Sequence, residues 1–137
     1  MPYTPDTCEP PLILMVGNVP EATEGLLREA GCRVRLAGTM ASALRLAGER
    51  PRPRLVLLAD VVGENYGLEL LSRLLDEPGM RGVPVLYMGG GDEELALALG
   101  AADCLSLPLR PLVLLARVQA QLRLQRLNEL AETGVAA

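Results

Sequence analysis

Residues 53–71 read PRLVLLADVVGENYGLELL. Leu55 to Ala59 (LVLLA) is apolar at every position, the pattern of a parallel strand covered on both faces. A polar turn follows. Gly67 to Asp76 (GLELLSRLLD) then carries Leu at 68, 71, 74 and 75, a stripe at helical spacing that stops at Pro78-Gly79. The stretch is one strand, one turn and one helix.

The same unit recurs on both sides. Leu12 to Val16 (LILMV) and Val83 to Met88 (VPVLYM) are equally apolar and predict two more central strands. Cys32 to Leu36 (CRVRL) alternates apolar residues with Arg, and Cys104 to Leu107 (CLSL) is very short, so both predict sheet edges. Helices are expected from Pro20 to Ala30, from a Thr39 cap to Glu49, from Asp92 to Leu99, and from Pro111 to about Thr133. Five βα units with right-handed crossovers give an α/β, doubly wound, five-stranded parallel sheet in the order 2-1-3-4-5. A functional site is expected beyond the carboxyl ends of strands one, three and four, at Gly17 and Asn18, Ala59 and Asp60, and Gly89 to Gly91.

Composition narrows the chemistry. Of 137 residues half are apolar and 22% are charged, which excludes a disordered chain, and no apolar run approaches the ~20 residues of a membrane span. Met1 to Pro11 shows no secretory pattern, so a cytoplasmic protein without a membrane partner is expected. There is no His, and all 13 basic residues are Arg. Histidine metal sites, Ser-His and Cys-His pairs, Schiff-base lysines and P-loop chemistry are thereby excluded, and neither a catalytic site, a metal nor a cofactor is expected. Cys8, Cys32 and Cys104 are spaced as reduced core thiols. Net charge is -4, which disfavours nucleic acid as a direct partner. Residues 28 to 54 nevertheless hold seven Arg against Glu29 and Glu49, a local +5 that leaves -9 on the rest.

The strand-three segment, with Gly67 at its distance after the strand, and VPVLYM followed by GAADCLSLP at 100–108 resemble a receiver domain of the two-component response-regulator family. The resemblance runs from about Leu12 to Leu124, with residues 1–11 as an N-terminal tail and 125–137 as a C-terminal helix extension and tail. It implies a phosphorylation pocket, and here that pocket is degenerate. Gly17 and Asn18 stand at the family's acidic pair, Ala59 at its phosphoacceptor aspartate, Gly89 at its hydroxyl residue and Leu107 at its lysine, while Cys104 stands at its aromatic switch position. Mg²⁺ binds carboxylate and water oxygens, so this set neither holds the metal nor supplies a nucleophile. The resemblance further implies a cis Leu107-Pro108 bond, a fourth helix about one turn shorter than usual, and docking or dimerisation through the side made by helix four, strand five and helix five.

Several features keep two readings. Asp60 is a relocated acidic acceptor only if strand three slips by one residue; otherwise it is a loop-facing carboxylate. Gly89-Gly90-Gly91 leads into a helix N-terminus, where free N–H groups cradle an anion or the loop merely fills space. Helix five would run roughly 33 Å, docking through Leu115, Val118 and Leu122. Its second stripe, Ala120, Leu124, Leu127 and Ala131, follows 4-3-4 spacing and fits either a dimerising helix or a surface extension. The expected function is a non-phosphorylatable receiver-like module acting on a protein partner or as a homodimer; the alternative is a small-molecule sensor using the vacated pocket.

Overall fold

The computed structural model describes residues 10–132. The Cys8 thiol and the outer parts of both expected tails lie outside the described residues. Five parallel strands form the sheet: β1 (Leu12–Val16), β2 (Arg33–Ala37), β3 (Leu55–Ala59), β6 (Val85–Gly89) and β7 (Asp103–Ser106), in the order β2-β1-β3-β6-β7. This is the expected topology. Between β3 and the third helix the chain adds a two-residue antiparallel hairpin, β4 (Val61–Val62) with β5 (Asn65–Tyr66), that the sequence reading lacked. The helices are α1 (Ala22–Glu29), α2 (Met40–Gly48), α3 (Gly67–Leu75), α4 (Glu93–Leu99) and α5 (Pro111–Glu132), with a 3₁₀ turn at Pro78–Met80.

Strand alternation divides the core into two layers. Leu14, Val16, Val56, Leu58, Val85 and Tyr87 pack beneath α2, α3 and α4, while Ile13, Met15, Leu55, Leu57, Leu86 and Met88 pack beneath α1 and α5. Burial on both faces explains the continuous apolar runs.

The element ends shift for local reasons. The strand expected at Val83 starts at Val85, because Pro84 has no N–H for the ladder and only its carbonyl engages, accepting from Val56 N–H at 3.0 Å. The last strand runs Asp103–Ser106 and leaves out Leu107, which enters a cis peptide with Pro108; Arg50–Pro51 is also cis. The first helix begins at Ala22, after a turn in which Thr23 N–H donates to the Pro20 carbonyl. Thr39 caps α2 as expected, its hydroxyl accepting from Ser42 N–H at 3.1 Å.

The phase of α5 needs correcting. Leu114, Val118 and Leu122 meet the sheet, with Gln125 buried on the same line, and Leu115 is only half-buried at the flank. The helix also stays tied past residue 124. Arg54 Nε donates to Gln125 Oε1 at 3.2 Å, Gln125 Nε2 donates to the Gly82 carbonyl at 3.4 Å, and Arg54 meets Glu129 at 3.6 Å.

Candidate functional site

The carboxyl ends of β1, β3 and β6 converge where the fold places a site. Gly17 leaves β1 at φ +86°, donates its N–H to the Ala37 carbonyl at 2.8 Å, and passes the chain to Asn18, whose N–H donates to the Val61 carbonyl at 2.9 Å. The β4–β5 hairpin is thereby bonded onto the β1 turn. It brings Val62, fully buried, against Gly17 beside the Ala59 methyl. A Cβ on Gly17 would lie 2.5 Å from the Val61 oxygen, 2.9 Å from Val62 Cγ2 and 3.2 Å from the Ala59 methyl. Gly17 and Ala59 are brought together with Val62 packed against Gly17, while Asn18 is exposed and is tied in through its backbone N–H.

Val62 escaped the sequence reading. Its signal was the apolar pair Val61-Val62 directly after Asp60, where a solvent-facing turn would carry polar residues. Gly67 starts α3 so close to the end of β3 that a side chain there would run into the Ala59 carbonyl; its N–H donates to the Asp60 carbonyl at 2.8 Å. The hairpin is pinned at both ends.

Asp60 lies on the other side of this seal. Its N–H donates to the Met88 carbonyl at 2.9 Å, and its Cβ is 3.1 Å from where a Gly89 Cβ would stand, whereas the Ala59 methyl faces Gly17. The two neighbours point apart, as alternation demands. Gly89 faces Asp60 and the Tyr87 ring and does not line the space that Val62 fills. Leu107 is partly exposed at the rim and offers no charge.

The glycine loop has its own anion. Gly91 N–H donates to both carboxylate oxygens of Glu93, at 3.1 and 3.3 Å. The Cys104 thiol donates to the Glu93 carbonyl at 3.6 Å, and burial, with Asp103 and Glu93 nearby, pushes it up from its ordinary range. Burial alone does the same for Cys32, and both thiols are free.

The receiver fold implies Mg²⁺, and these residues do not fit it. Gly17, Asn18 and Ala59 supply no carboxylate, Val62 occupies the space, and among the described residues no group of three or more His, Cys, Asp or Glu is placed to hold a metal. A ligand in the same space would have to displace Val62. A groove of about 360 Å³ opens on the α1 side between Val19, Pro20, Glu21 and Leu36, and of the five pocket positions only Gly17 lines it.

The opposite character appears on α4 and α5. Leu95, Leu97 and Leu99 of α4 are exposed, as are Leu112 and Val113 at the start of α5. Leu124 and Leu127 are 51% and 61% exposed, flanked by exposed Ala120 and Ala131. Arg117 of α5 pairs with Asp103 of β7 at 3.3 Å. On the basic segment, Arg28 meets Glu24 at 2.9 Å and Arg54 meets Glu129, acids from outside the segment that partly neutralise the local excess read from sequence, and Arg45 meets Glu49 at 3.1 Å within it. No described helix is long and apolar enough to cross a membrane.

No protein-family model and no curated protein matches the chain. Solved structures do. The receiver domain of NtrX from Brucella abortus matches with a TM-score of 0.72 at 25% identity, over 82% of this chain and 98% of that one. NtrX from the same organism matches with a TM-score of 0.79 at 25% identity over 90% of this chain, which spans only 29% of NtrX. A CheY-like receiver domain protein from Methanospirillum hungatei reaches 0.77 at 22% identity, over 88% and 99%. The structural neighbours are response-regulator receiver domains, and this chain has their fold.

Proposed function

We propose that this chain is an interaction module of two-component signalling that works without being phosphorylated. It acts in the cytoplasm, is not an enzyme, takes no cofactor and does not contact nucleic acid directly. One observation carries the reading: Val62 and the Ala59 methyl crowd Gly17, where phosphoryl transfer needs carboxylates and a metal. A site sealed with a valine leaves the outer surface as the working part.

That surface is the α4–β7–α5 side. Apolar side chains alternate there with charge of both signs, Glu93 and Glu94 on α4 against Arg110 just before α5 and Arg117 and Arg123 on it, so a two-fold pairing of this face with itself sets unlike charges together. The α5 stripe of Leu124, Leu127 and Ala131 extends the contact. Fully burying a leucine is worth about 1.5 to 3 kcal/mol, and these two begin about half exposed, so each adds about 1 kcal/mol. The test is light scattering across a concentration series. A concentration-dependent dimer, weakened by Leu124→Glu with Leu127→Glu, is expected. A chain that stays monomeric at high concentration and captures no partner through this face contradicts the reading.

A further inference from the structure

Tyr87 is the one buried aromatic ring among the described residues: the chain has no Phe or Trp, and Tyr66 is exposed. It rises from β6 in register with Leu58 of β3 and Cys104 of β7, and only 1% of its surface reaches solvent. Its ring passes directly over Gly89. A Cβ there would lie 2.9 Å from Cε2 and 3.3 Å from Cζ, closer than packed carbon atoms approach. Gly89 therefore admits the ring, and any larger residue with the ring in place does not fit.

The ring lies on the face of the sheet that α4 covers. Burial, together with the charges of Asp92, Asp60, Cys104 and Glu93, pushes the phenol up to about 12. Its body shares one apolar cluster with Ala96, the buried residue of α4. Ala96 is small, so α4 itself brings little volume to the sheet; the aromatic ring provides it.

We propose that Tyr87 is an internal wedge, admitted by Gly89, that fixes the position of α4 on the sheet and so presents the α4 face in a single arrangement. Its bearing on function rests on the interaction reading, in which the α4 face is where partners dock; the wedge itself is a matter of packing. Taking the ring away leaves a void beneath α4, a helix of seven residues whose one buried side chain is Ala96. Crowding the ring with a side chain at position 89 has the same consequence from the other direction.

The experiment is amide hydrogen exchange resolved by residue, with the tyrosine ring signals followed by NMR. In Gly89→Thr the Tyr87 ring signals lose their buried shifts, and amides of Glu93 to Leu99 exchange at least about tenfold faster while those of β1 and β3 are unchanged. Tyr87→Phe keeps α4 protected and Tyr87→Ala does not. If Gly89→Thr fails to fold, the Phe and Ala variants decide alone. Equal protection of α4 in those two, or a Gly89→Thr protein with unchanged ring signals and unchanged α4, overturns the proposal. A phosphoryl adduct on the native protein would instead overturn the interaction reading and leave the exchange result standing.

Discussion

The top of the sheet and the α4–α5 side treat apolar residues in opposite ways. At the top, Val62 is drawn inside until no surface remains, in a place where receiver chemistry needs polar groups and water. On the side, Leu124, Leu127 and Leu112 stay in water although the core beneath is complete. A chain selected only for stability would hide the second group, and a chain selected for phosphoryl transfer would not fill the first. On the reading proposed above, the difference puts the working surface outside the sheet ends.

Four variants break or sharpen that contrast. The largest effect is expected from Gly17→Asp, which seeks to restore an acidic ligand. The new Cβ meets the Val61 oxygen and Val62, and the backbone holds φ +86°. Urea unfolding should show a loss of about 4 kcal/mol or more. Survival at native stability would mean that the hairpin moves aside freely. Val62→Ala comes next, at about 1 to 3 kcal/mol for a buried branched side chain cut to a methyl, with no gain of Mg²⁺ binding by calorimetry.

Tyr87 predicts a pH effect. Its folded value is raised above that of the unfolded chain, so the neutral phenol contributes stability that is complete below pH 10 and is lost as pH rises toward about 12. Melting curves should fall over that range in the native protein and fall less in Tyr87→Phe. Identical alkaline limbs would mean that the phenol is solvated in the fold. The smallest effect on stability is expected from Leu124→Glu with Leu127→Glu. Both sites are exposed, so unfolding shifts by about 0.5 kcal/mol or less while self-association weakens. A large loss of stability would show that these leucines belong to the core.

The parallel sheet was legible because strands covered on both faces leave unbroken apolar runs, and the order followed from which runs were edge-like. The collapse of the pocket was only half legible. Sequence showed what Gly17, Asn18 and Ala59 lack, but Val61-Val62 reads as a continuation of LVLLA, and only the return of Asn65-Tyr66 turns the pair into a hairpin that plugs the site. Gly89 likewise reads as a missing hydroxyl. That it makes room for Tyr87 depends on a ring two residues back, on a strand whose every side chain is buried. In α5 the run Leu112-Val113-Leu114-Leu115 permits two helical phases, and packing against β3 and α1 selects Leu114.

The central claim, that the sealed site does no phosphoryl chemistry, is tested most directly by intact mass of the native chain after acetyl phosphate with Mg²⁺. The account predicts an unchanged mass. A phosphoryl adduct that disappears in Asp60→Asn would contradict it, since Asp60 would then reach the site that Val62 is said to close.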